Sequence, residues 1–271
     1  MPPERLYRTE AIVLRQRDYG EADRILTLLT PEGKLSAIAK GIRRATSRKV
    51  GHLGLFYRAL LLVARGRNLD IITQAESLDA YEGIRNDLWR FTYACYAGEL
   101  MDRFAQEEES PELYALMADG LTWFATEPDL RLWMRYFELR LLSLTGYRPE
   151  FFVCVQCQSP IQPQRNLFSA DLGGMLCERC SPAAPRTVEV SLSAQKVLRF
   201  LLRHDAAEVR TLRLRNATHA EIEALLQHYL EHIMERQLLS VSFLRHLRRE
   251  LHMVEGQRRQ HQGDAPENIP A

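Results

Sequence analysis

The sequence predicts an α+β, multidomain protein: an N-terminal five-stranded OB-type β-barrel, followed by an α-helical domain carrying a four-cysteine zinc ribbon. Three observations predict this class. Apolar residues before about residue 80 fall into short strand-like runs, whereas after Tyr81 they recur at helical intervals. Two C-x-x-C pairs, separated by 19 residues, then lie within the helical part.

The barrel is predicted from five strand-like segments, which span 9–17, 22–30, 34–41, 55–65 and 69–77. The short breaks DYGE, PEG and GRN contain the Gly, Pro, Asn or Asp that tight turns require. The one long connection, 42–52, follows the third segment. Five short strands with such a link are typical of a closed OB barrel, whereas a β-sandwich of five strands would be thin.

The rest of the chain is predicted to be mainly helical, over 88–106, 111–126, 129–145, 193–204, 217–235 and 241–257. Gly146 followed by Pro149 ends the third helix. We therefore expect a barrel domain at 1–80, a helical domain in two parts at 81–150 and 186–256, a zinc-ribbon insertion at 151–185 and a disordered tail at 257–271.

Composition places the protein among globular chains, since 46% of its 271 residues are hydrophobic. The N-terminus has no apolar stretch typical of a secretion signal, and the apolar runs are shorter than the about 20 residues of a membrane span. We expect a cytoplasmic protein with no membrane contact. Residues 1–80 carry 14 Lys and Arg against 9 Asp and Glu, whereas 81–150 carry 7 against 13. This asymmetry indicates an anionic partner for the first domain.

The cysteine pairs predict one structural zinc ion. Each C-x-x-C turns two sulfurs toward one point, so two pairs complete a tetrahedron, with a disulfide or redox pair as the alternative. Four thiolates close the coordination shell, whereas catalytic zinc keeps a position open. The one H-x-E sequence follows both pairs, which excludes the zinc-deaminase pattern. Cys95 is predicted to be a buried core cysteine. The predicted ligands are Cys154, Cys157, Cys177 and Cys180.

Cations of the barrel cluster on its first and third strands, in the long link and at the last turn. OB folds bind oligonucleotides with strands two and three and with the adjoining loops, so we predict nucleic-acid binding, with an ordinary solvated surface as the alternative. Tyr19 and Tyr57 are candidates for base stacking, and few other aromatic side chains are available. The predicted DNA-binding cations are Arg15, Arg17, Lys34, Lys40, Arg43, Arg44, Arg48, Lys49, Arg65 and Arg67.

Signatures of catalysis are missing. The GKLS sequence at 33–36 lacks the upstream glycine of a phosphate-binding loop, and neither G-x-S-x-G nor H-E-x-x-H occurs. We expect no enzyme and no catalytic residue. The alternatives are a protein-interaction adaptor with incidental DNA contact and an unrecognised metal-dependent hydrolase.

Several segments resemble a known family. TEAIVLRQRDYGEADRILTLLTPEGKLSAIAKGIRRATSR (9–48) resembles the N-terminal domain of the bacterial recombination-mediator family RecO, through its DYGEAD turn, its T-P-x-G break and its A-K-G-x-R exit. GELMDRFAQEEESPELYALMADGL (98–121) resembles that family's helical domain, and GYRPEFFVCVQC continues the resemblance into a zinc ribbon.

The resemblance implies functions that the residue patterns do not. It implies binding of single- and double-stranded DNA, annealing of complementary strands, and location at the nucleoid, while phosphate contacts without an aromatic platform predict little sequence preference. It also implies partnership with RecR and with single-strand DNA-binding protein (SSB), and assistance in loading RecA onto SSB-coated DNA. The metal is then implied to stabilise the fold.

Overall fold

A computed structural model gives the fold and describes residues 5–184, 186–234, 243–244 and 247. The first part is a closed five-stranded barrel with the order β1-β2-β3-β5-β4, which confirms the predicted OB-type architecture. The neighbouring pairs are antiparallel except β3 and β5, which run parallel. The barrel strands are β1 (Leu6–Tyr19), β2 (Asp23–Thr30), β3 (Gly33–Ala39), β4 (Arg58–Ala64) and β5 (Asp70–Asp79).

The barrel interior is filled by small and branched apolar side chains from alternate strand positions, with Leu26, Leu28, Leu61, Val63 and Ile72 fully buried. The connection between β3 and β4, all of whose residues the structure describes, forms turns and contains no helix. Ile42 and Leu53, near the two ends of this link, are each 1% exposed and join the barrel core. The link is therefore fixed at both ends, while its cations lie between them.

The helical part packs three long helices side by side against a returning fourth. The described helices are α1 (Glu82–Arg85), α2 (Leu88–Phe104), α3 (Pro111–Thr126), α4 (Leu130–Leu144), α5 (Leu192–Arg203), α6 (Ala206–Val209) and α7 (Asn216–Met234). Asp87, Asp129 and Ser191 cap the N-termini of α2, α4 and α5 through their side chains. The predicted helix at 241–257 and the predicted tail at 257–271 lie outside the described residues, except for positions 243, 244 and 247.

The cysteine region contains regular structure that the sequence patterns did not predict. A three-stranded sheet in the order β7-β6-β8 is formed by β6 (Asn166–Ser169), β7 (Gly174–Leu176) and β8 (Thr187–Val190). These strands have three or four residues, too few for a period-2 pattern to stand out. Phe168 of β6 packs against Phe151 and Tyr229, so the sheet shares the core of the helical part.

The barrel and the helices meet through a contact that covers the C-terminal end of strand β2. Leu29 of β2, and Ile12 and Leu14 of β1, belong to the core of the helical part. Backbone hydrogen bonds join the β2–β3 turn to the α2–α3 loop, from Lys34 N to Gln106 O (2.7 Å) and from Ser110 N to Pro31 O (3.1 Å). This arrangement covers one half of the face that OB folds commonly use for ligands.

Candidate nucleic-acid interface and metal centre

The four predicted ligands come together. The sulfur atoms of Cys154, Cys157, Cys177 and Cys180 all lie within 4.8 Å of one another, close enough to bind one metal ion. The first knuckle closes through a hydrogen bond from Gln158 N to Cys154 O (2.8 Å), with Gln158 in the left-handed region at φ 62°. In the second knuckle, the amide N–H of Cys180 donates to Cys177 O (3.0 Å). The sequence spacing thus produces the geometry it predicted.

The environment of the sulfurs favours a thiolate at Cys157 and a protonated thiol at Cys180. The Ser159 hydroxyl lies 3.4 Å from Cys157 Sγ, and hydrogen bonds from Ser159 and Arg179 lower the pKa of the Cys157 thiol to about 5. Burial beside the other three sulfurs raises the pKa of Cys180 to about 12. A divalent cation would stabilise all the thiolates together, and a shell of four thiolates suits zinc in a structural role.

The free half of the barrel face carries a row of paired residues. The strand register aligns Arg17 with Ile25, Ile25 with Ile38, and Ile38 with Ile71. Paired residues point to the same side of a sheet, and this row alternates with the buried barrel core, so it lies on the outer surface. The row joins the exposed Arg17 to the half-buried Ile25 and Ile71 across four strands, and Ile38 in the middle of the row is buried.

Cations surround this row. We define the loop face as the row together with Tyr19 and the exposed cations of the adjacent turns, which are Lys40, Arg43, Arg44, Arg65 and Arg67. Arg65 is held over the Tyr7 ring at 4.9 Å, and Asp70 fixes the same turn by accepting from Tyr7 Oη (2.6 Å) and Gly66 N (3.0 Å). Arg43 lies 3.5 Å from Asp18, which also binds Arg24. Within the described part of the chain, Arg17, Lys40, Arg44, Arg65 and Arg67 form no ion pair.

Four other predicted cations lie elsewhere. Arg15 and Lys34 both contact Asp102 of α2, at 3.0 and 3.6 Å, so they connect the barrel to the helices. The ammonium of Lys49 donates hydrogen bonds to the backbone carbonyls of Lys40 (2.8 Å) and Ile72 (3.1 Å), and burial lowers the pKa of Lys49. Arg48 lies beside Lys49 on the wall of a separate groove. The structure therefore divides the predicted DNA-binding cations into three groups: those on the loop face, those at the joint, by which we mean the contact between the barrel and the helices, and those in the link.

The aromatic candidates also separate. Tyr19 is 53% exposed at the β1–β2 turn and can stack on a base. Tyr57 is 8% exposed, its hydroxyl contacts Arg85, and the Arg85 guanidinium covers its ring. Tyr57 is therefore left out of the interface proposed below. Cys95 is half-buried, and burial raises its pKa to about 11.

Sequence reasoning missed two elements of this region. The isoleucine row could be recognised only once the strand register was known, because its members come from three separate strands. Asp102 was not singled out, although it neutralises two predicted DNA-binding cations. The charge asymmetry between the two parts of the chain was a signal for such contacts between them.

Together, the fold and these sites define a class of protein: an OB-type barrel joined to a helical unit that carries four cysteines close enough to bind one metal ion. Residues 4–81 match the family model described as Recombination protein O N terminal, and residues 85–241 match the one described as Recombination protein O C terminal. The chain belongs to the RecO family.

Relatives agree over most of the chain. This chain is 41% identical to a DNA repair protein RecO of Roseiflexus sp. (strain RS-1), over 92% of this chain and 88% of that protein. It is 38% identical to a DNA repair protein RecO of Pelotomaculum thermopropionicum, over 89% of this chain and 94% of that protein. Family membership gives the protein a role in DNA repair and recombination. In the part of the chain that the structure describes, no helix is both long and apolar enough to cross a membrane.

Proposed function

We propose that this protein binds single- and double-stranded DNA through the loop face of its barrel, with little sequence preference. The observation that carries the proposal is the set of exposed cations around the isoleucine row. Arg17, Lys40, Arg44, Arg65 and Arg67 have no carboxylate partner among the described residues, so their charge is available to phosphates. Ile25, Ile71 and Tyr19 supply apolar surface on which exposed bases can lie, whereas Ile38 is buried.

This surface favours backbone contacts over base recognition. Arginine and lysine neutralise phosphates without reading sequence, and one exposed tyrosine makes a small stacking platform. Neutralising the phosphates of two strands lowers their repulsion while leaving the base edges free. We therefore include annealing of complementary strands in the proposed function.

The proposed partners follow from the RecO family. They are RecR, SSB and, indirectly, RecA, whose loading onto SSB-coated single strands the protein would assist. An exposed acidic loop supports a protein-binding role for the helical part, since Glu107, Glu108 and Glu109 all lie at the surface between α2 and α3. We propose a mediator without catalytic residues.

The four-cysteine cluster is proposed to hold one zinc ion as a structural clamp. The cluster would join the knuckle at 154–157 to the knuckle at 177–180, which follows β7 of the small sheet, and Arg179 would donate to its thiolates. Few cations surround it, and Arg165 is already paired with Glu189 at 3.0 Å. The ribbon is therefore not part of the proposed DNA interface.

Charge reversal on the loop face tests the proposal. Arg44→Glu combined with Arg67→Glu should weaken binding of single-stranded DNA at least about tenfold and slow annealing, because two phosphate contacts become repulsive. The slope of log affinity against log salt should also fall by about 1.4 in magnitude for single strands. Fluorescence anisotropy across a salt series measures both quantities.

A matched control carries the same charge change on the helical part. Lys196 and Arg215 are exposed there, so Lys196→Glu combined with Arg215→Glu should leave the affinity within about twofold after correction for net charge. Equal losses of affinity in the two double variants would show that the loop face does not bind DNA. Unchanged binding by Arg44→Glu with Arg67→Glu would show the same and would favour a protein-interaction adaptor.

A further inference from the structure

Beside the loop face lies a carboxylate that DNA binding by cations does not explain. Asp70 is half-buried at the start of β5, directly after the turn that carries the exposed Arg65 and Arg67. Within the described residues, its carboxylate accepts hydrogen bonds but forms no ion pair. An unneutralised carboxylate next to phosphate-binding arginines repels DNA, so its presence calls for another role.

The hydrogen bonds of Asp70 join β1 to the β4–β5 turn. Asp70 Oδ2 accepts from Tyr7 Oη of β1 at 2.6 Å, and Asp70 Oδ1 accepts from Gly66 N in the turn at 3.0 Å. We call Tyr7, Gly66 and Asp70 the Asp70 cluster. Burial, and then the hydrogen bond to Asp70, raise the pKa of Tyr7, so the hydroxyl stays protonated and donates. Each carboxylate oxygen therefore has an uncharged donor.

The Asp70 cluster lies where the barrel closes. Strands β3 and β5 are paired through Ala37 with Asp70 and through Ile38 with Ile71, which is the shortest of the five strand pairings. Strand β4 separates β1 from β5 in the barrel, so the hydrogen bond from Tyr7 to Asp70 connects two strands that are not neighbours. The ring of Tyr7 packs against the barrel core, which fixes the position of its hydroxyl.

The turn itself is held at two points. Its first residue, Arg65, donates from its backbone N–H to Arg5 O at 2.9 Å, and its guanidinium carbon lies 4.9 Å from the centre of the Tyr7 ring. At Gly66 an added Cβ would overlap the carbonyl oxygen of Leu69, so the turn is tight as well as hydrogen-bonded. The two arginines of the turn therefore extend from a backbone whose position depends on the Asp70 cluster.

We propose that Asp70 is a positioning residue for DNA binding, which holds the β4–β5 turn so that Arg65 and Arg67 face the phosphates together. This inference rests on the proposed function of the loop face. A turn that is already ordered loses less conformational entropy when it contacts DNA, so it binds more tightly than a mobile turn. The gain from two ordered arginines outweighs the repulsion from one carboxylate. Positioning therefore predicts the opposite sign of effect from charge alone.

Two substitutions separate position from charge. Asp70→Asn removes the charge but keeps an acceptor for Gly66 N and an amide that can donate to Tyr7 Oη, so DNA affinity should equal or exceed that of the wild type. Asp70→Ala removes the same charge and both hydrogen bonds, and should weaken binding of a fluorescein-labelled oligothymidylate at least about fivefold. The slope of log affinity against log salt should fall by about 0.7 to 1.4 in magnitude in Asp70→Ala, as one or two phosphate contacts are lost. Fluorescence anisotropy, corrected for the folded fraction, measures both quantities.

A milder variant and a charge control accompany them. Tyr7→Phe keeps the ring under Arg65 and removes one hydrogen bond, so it should weaken binding about twofold to threefold. Glu21→Ala removes an exposed carboxylate from the β1–β2 turn of the same barrel, and within the described residues that side chain has no hydrogen bond or ion pair. The Glu21→Ala variant should bind DNA as tightly as the wild type or slightly more tightly.

Hydrogen exchange of the Gly66 amide reports on the turn without DNA. By NMR of glycine-labelled protein, exchange should be at least about tenfold faster in Asp70→Ala and within about threefold of the wild type in Asp70→Asn. Equal DNA affinities in the two Asp70 variants, or unchanged exchange in Asp70→Ala, would overturn the proposal. If Arg44→Glu with Arg67→Glu leaves DNA binding unchanged, the proposed function fails, whereas Gly66 exchange still shows whether Asp70 holds the turn. The two failures can therefore be told apart.

Discussion

At the scale of single residues, the most costly group to bury in the helical core is the charge pair Arg135 and Glu138. Their side chains are 3% and 0% exposed, and Arg135 Nη2 lies 3.0 Å from Glu138 Oε1. Tyr96 also donates its hydroxyl to that oxygen at 2.6 Å, so the carboxylate connects α2 to α4. Burial raises the pKa of Glu138 to about 7, which reflects the cost of placing this charge in the core.

Removing one member of this pair should strongly destabilise the fold. Glu138→Ala leaves Arg135 and the Tyr96 hydroxyl buried beside a cavity, and we expect a loss of about 3–5 kcal/mol in the free energy of unfolding. Urea unfolding followed by tryptophan fluorescence measures it. Glu189→Ala, which breaks the exposed pair with Arg165, should cost less than about 1 kcal/mol. Comparable losses of unfolding free energy in Glu138→Ala and Glu189→Ala would show that burial does not set the cost of breaking an ion pair in this protein.

At the scale of elements, the zinc ribbon and the link illustrate two ways to order a long connection. The link holds its shape through buried apolar residues at its ends, Ile42 and Leu53, and through the hydrogen bonds of Lys49. Of the knuckle residues 154–157 and 177–180, only Cys154 is buried, while Phe168, Met175 and Leu176 between the knuckles pack into the core of the helical part. A metal ion at the four sulfurs would supply the missing stabilisation.

Loss of one sulfur should therefore affect stability and leave DNA binding intact. We expect wild-type protein to contain one zinc per chain by metal analysis, and Cys154→Ser to lose most of it. The variant should unfold at a lower temperature because metal binding contributes to folding. Its affinity for DNA, per folded molecule, should stay within about twofold, since the loop face is on the barrel.

The matched control for this variant is Cys95→Ser, which removes a thiol outside the cluster. It should retain zinc. A zinc content well below one per chain in reduced wild-type protein would contradict the metal assignment. A parallel loss of DNA affinity in Cys154→Ser alone would show that the ribbon takes part in binding.

At the scale of the whole molecule, the barrel and the helical part are fixed relative to each other by polar contacts around an apolar centre. Asp102 binds Arg15 and Lys34, and Glu10 accepts from Tyr114 Oη at 2.9 Å. Gly33 lies at the closest approach, with φ +114°, and a Cβ there would lie 2.4 Å from the carbonyl oxygen of Glu108. Only glycine fits this turn without moving the joint.

Gly33→Ala should therefore loosen the joint as well as strain the turn. We expect a loss of about 2 kcal/mol or more in the free energy of unfolding and faster proteolysis in the 105–110 loop, because a backbone contact must open. Gly51→Ala, where no atom lies within 4 Å of the added carbon, is the control and should change stability by less than about 0.5 kcal/mol. An unchanged cleavage pattern in Gly33→Ala would show that the joint does not depend on this contact.

Strong local periodicity and fixed spacing were readable from the sequence. The helix predicted at 111–126 occupies those residues, and five strands form where alternation and turn residues predicted them. The four ligands followed from C-x-x-C spacing. The small strands β6, β7 and β8 escaped prediction because they are too short for a period to be recognised. Burial on α2 does not follow its apolar residues alone, since Leu88 and Phe91 are 56% and 37% exposed, whereas Tyr93 and Tyr96 are buried.

The sequence by itself determined the order of barrel, helices and ribbon, the four cysteines that come together and the concentration of cations in the first part of the chain. These properties are local, since they depend on spacing along the chain and on side-chain chemistry. Only the tertiary structure decided which cations are free. Arg15 and Lys34 are neutralised by an aspartate that follows them by more than sixty positions, and Tyr57 is covered by Arg85. Such pairings depend on how distant segments pack, and no local pattern encodes that.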